Sequence, residues 1–253
     1  MDIAVCVLPA IAMREKPSHK KEITSQLLFG ESMQVLKAKE KWFYIRSLHD
    51  DYEGWIRNNQ VQRVEENIPG EKILAAAMVN VITTSDGPML IPAASTLWGF
   101  SGRSGKIGDL SYQFDGEMIQ PSAGPVSEKD LVNFATGWLN APYLWGGRTV
   151  FGVDCSGFVQ LVYKMMGIGI MRDARLQVGQ GIAVADVSET HCGDLAFFHN
   201  HRGKIVHVGM LLHDQRIIHA SGKVRIDKLD KEGIIMADTG KKSHHLAEIR
   251  RFF

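Results

Sequence analysis

One cysteine limits what this chain can become. Cys155 stands in Val153-Asp154-Cys155-Ser156-Gly157-Phe158-Val159, and Phe158, Val159, Leu161, Val162, Met165 and Met166 follow at helical spacing until Gly167 ends the run. The pattern predicts a buried helix with the thiol on its first turn. There, unpaired backbone N–H groups and the positive end of the helix dipole favour thiolate over thiol. Two histidines lie downstream: His207 in Ile205-Val206-His207-Val208-Gly209-Met210-Leu211-Leu212, and His219 in Arg216-Ile217-Ile218-His219-Ala220. Alternation puts Ile205, His207, Gly209 and Leu211 on one strand face. A turn centred near Asp214 pairs Gly209 with His219 and His207 with Ser221, so His219 sits diagonal to His207 on the same face. A slip of one residue would separate them.

A thiol and two imidazoles in reach of one another define a nucleophilic centre. Cys155 attacks a carbonyl, His207 moves the proton, and His219 holds the second nitrogen of His207, fixing its tautomer and ring angle. The oxyanion is met by the Cys155 backbone N–H and one further donor. The helix dipole contributes only about 0.3–2 kcal/mol, and Asp154 opposes the thiolate, so a charged His207 is expected to supply most of the stabilisation. The same three residues could instead hold zinc. Against zinc, a helix-start thiol needs no metal, and the chain lacks Cys-x-x-Cys or His-Glu-x-x-His pairs. No metal and no cofactor is expected.

The 253 residues carry 29 Lys and Arg against 28 Asp and Glu, and the basic residues form no stripe, which excludes nucleic acid as a partner. No stretch is long and apolar enough to span a bilayer, so no membrane is expected. The start, Met1-Asp2-Ile3-Ala4-Val5-Cys6-Val7-Leu8-Pro9, has an acidic residue where an export signal needs basic ones. With three cysteines, an odd number, this points to a reducing, cytoplasmic setting. Cys6, in an apolar strand-like run, and Cys192, ahead of a strand with no helix behind it, are read as packing residues.

Two textures divide the chain. The first 120 or so residues show short strand-like runs (Ile3–Leu8, Met33–Lys37, Trp42–Ser47, Gly54–Arg57, then Met78–Thr83, Met89–Ile91 and Thr96–Gly99) broken by turn residues. They read as two small all-β barrels, residues 1–66 and 67–124, ending in a linker, Pro121-Ser122-Ala123-Gly124-Pro125. From 125 to 253 the pattern changes. Ser127 and Asp130 cap a helix carrying Leu131, Val132, Phe134, Ala135, Trp138 and Leu139, stopped by Ala141-Pro142. A Gly-rich loop, Leu144-Trp145-Gly146-Gly147-Arg148, the Cys155 helix and the strands Asp194–Phe198, Lys204–Leu212, Arg216–Ala220 and Ala247–Phe253 follow, an α+β layout.

These motifs resemble the NlpC-type family of bacterial cell-wall peptidases, a papain-like group. The matching pieces are Tyr143-Leu144-Trp145-Gly146-Gly147, Phe151 through Val159, His191-Cys192-Gly193-Asp194-Leu195-Ala196-Phe197-Phe198, His207-Val208-Gly209-Met210 and Ile218-His219-Ala220-Ser221. The resemblance implies an α+β, papain-like catalytic domain with the triad Cys155, His207 and His219, and with Tyr143, Asp154 and Ser156 lining the substrate site. In the N-terminal half, Met33-Gln34-Val35-Leu36, Trp42-Phe43-Tyr44-Ile45 and Tyr52-Glu53-Gly54-Trp55-Ile56 resemble the bacterial SH3-like domains of one subgroup. That subgroup is similar to γ-D-glutamyl-L-diamino acid endopeptidases of cell-wall recycling, which act on small murein peptides with a free N-terminal L-alanine. It implies a carboxylate for the amine in Arg172-Asp173-Ala174, a closing tyrosine matched by Tyr52, and a second carboxylate at Glu31. Asp173 is equally readable as the N-cap of a helix through Leu176 and Gln180. The triad also suits a thiol acyltransferase or amidase, and the barrels suit a wall-peptide binding module. The residues leave open whether the third peptide position is meso-diaminopimelate or L-lysine, and which oligomer forms.

Overall fold

The computed structural model describes residues 2–65, 73–121 and 124–253. The expected boundary at 66–67, and Ser122 and Ala123 of the expected linker, lie outside the described residues. The chain forms two compact units: Met1–Ser122 with Trp145–Val150, and Ala123–Leu144 with Phe151–Phe253.

In the first unit, seven antiparallel strands run in the order Ile23–Leu28, Ala10–Arg14, Glu53–Arg57, Trp42–Ser47, Ser32–Lys39, Ile3–Cys6, Val61–Val64. Alternating side chains from these strands, Ala4, Cys6, Ile11, Met13, Leu27, Met33, Ile45 and Ile56, build one core. Cys6 is a packing residue, and burial pushes its thiol up to about 12. A second, four-stranded sheet, Gly87–Pro92, Val79–Thr84, Leu110–Phe114, Ser104–Ile107, closes over Phe29, Ile82, Ile91, Trp98, Tyr112 and Phe114. The strands Ala10–Arg14, Ile23–Leu28 and Ser104–Ile107 lie outside the runs the sequence indicates: the first is apolar on both faces, and polar or glycine residues hide the alternation of the other two.

The stretch Trp145–Val150 is fixed to this unit by charge and shape. Arg148 spans Glu31 with two hydrogen bonds, at 2.7 and 2.9 Å, and donates to the Gln26 carbonyl at 2.7 Å. Gly146 has φ +75°, and a Cβ there would lie 2.5 Å from the Ile23 carbonyl oxygen, so only glycine fits.

The second unit begins with helix α1 (Glu128–Thr136), its Ser127 Oγ accepting from the Asp130 N–H as expected. The helix ends at Gly137, short of Trp138 and Leu139; Trp138 is fully buried beyond it. Helix α2 (Cys155–Met165) is buried along its whole length, and α3 (Ala174–Gln177) is a single turn. The sheet runs Ile182–Val184, Lys242–Arg251, Leu195–His199, Ile205–Leu212, Arg216–Ser221, Lys223–Asp230, Gly233–Ile235, all antiparallel. Gly233–Ile235 pairs back onto Lys242–Arg251, so six of these strands close into a ring. Helix α2 packs on Ile205–Leu212 and Arg216–Ser221. This unit is α+β, as its sequence indicates, with the strands Lys223–Asp230 and Gly233–Ile235 in addition to those the sequence marks.

Candidate active site

Helix α2 starts at Cys155 because Asp154 caps it: the Asp154 carboxylate accepts the Gly157 N–H at 2.7 Å. The Cys155 side chain is buried, with its sulfur hydrogen-bonded to the backbone of Val208, the residue after His207. The two histidines come from neighbouring strands paired Met210 to Ile218, Leu211 to Ile217 and Leu212 to Arg216, about a turn at Asp214 and Gln215. This is the register read from the sequence. Gly209 makes the approach feasible, since a Cβ there would lie 2.8 Å from the His219 Cβ. His207 Nε2 meets His219 Nδ1 at 2.8 Å.

The sequence reading missed what lies behind them. His219 Nε2 meets Asp227 Oδ2 at 3.0 Å, both side chains 1% exposed. The other Asp227 oxygen accepts from Arg225 and from the Ala237 N–H, each at 2.8 Å. These contacts hold the Asp227 carboxyl well below the usual carboxylate range despite its burial. The ionised carboxylate only accepts, so His219 Nε2 carries a proton, and in the neutral form of that imidazole Nδ1 is the lone pair. His207 Nε2 therefore donates to His219, and His207 Nδ1 is left as the basic nitrogen. The direction of the relay follows from Asp227.

Burial, then the Asp154 charge, pushes the Cys155 thiol up to about 12. Burial, with His219 and His244, drives His207 well below the ordinary imidazole value. Taken singly, each shift favours the uncharged form of its group. Burial works against the charged His207 on which the sequence reading relies for a standing thiolate, because a site that excludes water penalises isolated charges. Asp154 is itself paired, its oxygens receiving Arg172 Nη1 at 3.0 Å and Nη2 at 2.6 Å. Arg172 also reaches Ser156 Oγ at 2.9 Å. Arg172 partly offsets the Asp154 charge at the sulfur.

Other sequence-selected residues fall as follows. Tyr143 is half-buried; burial and the nearby Cys155 and Asp154 raise its phenol above the usual value. Asp173 occupies the N-cap position of α3, yet its side chain makes no capping bond and instead pairs with the exposed Arg175 at 3.1 Å. Within the first unit, Tyr52 packs against the Ile45 and Ile56 core, and Glu31 is buried against Arg148 and the Leu28 N–H. As to metals, the facing nitrogens of His207 and His219 are bonded to each other. Among the described residues, Glu128, Cys192 and His213 place donor atoms within 4.8 Å of one another, but Glu128 and His213 are exposed and already hydrogen-bonded to each other.

Comparison with known proteins matches this site to a family. Residues 140–242, which include Cys155, His207, His219 and Asp227, match the NlpC/P60 family, and residues 13–61 match the bacterial dipeptidyl-peptidase Sh3 domain. The chain carries an NlpC/P60 domain. It is a cysteine-type peptidase, and its first unit carries an SH3-like domain. The chain is 28% identical over 216 residues to a gamma-D-glutamyl-L-lysine dipeptidyl-peptidase of Bacillus subtilis (strain 168), covering 78% of this chain and 72% of the relative. It is 24% identical over 265 residues to dipeptidyl-peptidase 6 of Lysinibacillus sphaericus, covering 90% and 92%. A crystal structure of an NlpC/P60 family protein from Bacillus cereus ATCC 10987 shares the fold, with a TM-score of 0.83, 22% identity and coverage of 98% and 99%. No helix among the described residues is long and apolar enough to cross a membrane.

The NlpC/P60 match ends just before one further ring. His244 stacks on His207, with centroids 4.2 Å apart and planes 23° apart. Nothing in the local sequence around His244 marks it, because its position depends on the ring closure of the sheet.

Proposed function

We propose that this chain hydrolyses the γ-D-Glu–diamino acid bond of small murein peptides bearing a free N-terminal L-alanine, in cytoplasmic cell-wall recycling. Cys155 is the nucleophile, His207 the base and later the acid, and His219 with Asp227 the orienting pair. As Cys155 attacks the γ-carbonyl carbon, its proton passes to His207 Nδ1. His207 then gives that proton to the leaving amine, and water, deprotonated by His207, releases the acyl group. The observation that carries the reading is the buried run from Asp227 through His219 to His207, next to a thiol at a helix start. The name of the Bacillus subtilis relative supports the γ-D-glutamyl specificity.

Asp173 is assigned to the peptide's ammonium. Its cap position leaves the carboxylate unused by the helix, and an exposed pair with Arg175 is worth at most about 1 kcal/mol, so exchange for an ammonium is easy. Tyr52 is assigned to peptide binding, and Tyr143, Asp154 and Ser156 to the surroundings of the scissile bond, the last two by way of Arg172. Glu31, with both oxygens on Arg148, is assigned to holding the Trp145–Val150 stretch. The β-strands of residues 73–121 are assigned to a second SH3-like barrel.

The test is kinetic. A charge-assisted contact contributes roughly 1.5–3 kcal/mol, about one to two powers of ten in specificity. L-Ala-γ-D-Glu peptides should be cut that much better than their N-acetylated forms, and Asp173→Asn should shrink the difference. Equal kcat/KM for free and acetylated peptides in the wild type would overturn the assignment.

A further inference from the structure

His244 lies on the strand Lys242–Arg251, and two irregularities flank it. Ile234 pairs with His244 but Ile235 pairs with Lys242, leaving Ser243 extra; Phe197 pairs with Glu248 but Phe198 with Leu246, leaving Ala247 extra. Bulges of this kind re-aim side chains. Here the result is a ring laid on the His207 imidazole, with Phe198 tilted against both, 5.8 Å from each. The His244 ring is itself held by a 2.8 Å hydrogen bond between its Nδ1 and Ser243 Oγ. No hydrogen bond joins it to His207 among the described contacts; its approach is face to face.

We propose that His244 is a positioning residue for the reaction. Its ring covers one face of His207 and fixes the imidazole plane in which Nε2 stays on His219 while Nδ1 stays available to the Cys155 proton. The inference rests on His207 being the base. Two forces act. Stacking restricts rotation of the His207 ring, and the cover keeps water from that face, which sustains the burial that disfavours imidazolium. The titratable and charged groups around the two rings are Cys155 and Asp154 at the start of α2, His219, Asp227 with Arg225, and His245; a substitution at 244 leaves all of them in place.

The experiment compares His244→Ala with His244→Phe in the full chain, with His207→Ala as the reference. Each is assayed for kcat, KM and the pH dependence of kcat/KM, after thermal melting has established folding. His244→Ala should lose roughly ten- to a hundred-fold in kcat with little change in KM, as expected for a misplaced base. Its acid limb should move up toward the ordinary histidine range as water reaches His207. His244→Phe, which keeps a flat cover without a titrating group, should recover most of the rate and return the limb to its low position. A general loss of stability would not move the limb. If His207→Ala is inactive while His244→Ala keeps the wild-type kcat and acid limb, the proposal is wrong. It is equally wrong if His244→Phe loses as much as His244→Ala. Should the alanine variant fail to fold, the phenylalanine variant decides alone: a wild-type profile supports the cover and a raised limb refutes it. If His207→Ala itself turns over normally, the reading of the base fails, whatever residue 244 does.

Discussion

Asp227 accepts a hydrogen bond from His219 at 3.0 Å, in a setting where both side chains are 1% exposed. That contact decides which nitrogen of each imidazole carries the proton. Asp227→Asn retains the shape but offers a donor as well as an acceptor, so His219 can invert and the relay to His207 reverses. We expect kcat to fall by about two to four powers of ten, with KM little changed, as for other triads whose tautomer is lost. Steady-state kinetics with a folded Asp227→Asn protein checks this. The depressed Asp227 carboxyl also contributes stability that is present above pH ~4 and lost on acidification below it, so the wild type should lose more melting temperature than Asp227→Asn in that range.

The pH dependence of turnover follows from the burial of His207. His207 must be unprotonated to accept from Cys155, and its folded value lies well below that of a free imidazole. As pH falls through ~6.5, activity should therefore persist, and the acid limb should appear only lower. Iodoacetamide labelling of Cys155 at neutral pH should depend on His207, because the thiol alone is pushed up to about 12. His207→Ala should slow that labelling strongly. Labelling at an unchanged rate would show that the thiolate is formed without the imidazole.

Arg172 and Asp154 form a pair whose side chains are 1% and 7% exposed. Removing the guanidinium leaves a buried carboxylate at the start of α2 and next to the sulfur. Arg172→Ala should destabilise the protein by about 3–5 kcal/mol in urea unfolding. Asp154→Asn should restore part of that loss in the double variant, because the unpaired charge is then gone.

Much of this site can be read along the chain, because its central parts are local. Cys155 begins a helix whose apolar spacing is visible to Gly167, and the hairpin carrying His207 and His219 needs only strand alternation and a turn at Asp214. What could not be read is non-local. Asp227 and His244 reach the histidines from strands whose pairing closes the sheet, and the bulge at Ser243 that aims His244 breaks the very alternation by which strands are recognised. Glu31 and Arg148 are 117 residues apart, so the sequence displays two charges but not their bond. The first helix is shorter than its sequence pattern for the opposite reason: Trp138 and Leu139 keep the helical spacing after the backbone has left the helix at Gly137.

Glu31 and Asp173 separate framework from recognition. Glu31→Gln breaks a buried bidentate pair and should lower the melting temperature by several degrees, in line with about 3–5 kcal/mol. Asp173→Asn replaces the partner of the exposed Arg175 and should leave melting within a degree or so, since surface pairs contribute about 0–1 kcal/mol. Its effect should show in kcat/KM for free-amine peptides instead. Thermal melting and kinetics on the same two variants make the comparison.

The central claim concerns which bond is cut and by which residue. Mass spectrometry of products from defined murein peptides, with meso-diaminopimelate or L-lysine at the third position and with the L-alanine amine free, acetylated or joined to muramic acid, addresses it directly. The wild type should release L-Ala-γ-D-Glu from the free-amine peptides. Cys155→Ala should release none, while Cys6→Ala and Cys192→Ala behave as the wild type. Cleavage at another bond, or the dipeptide appearing undiminished from Cys155→Ala, would contradict the account.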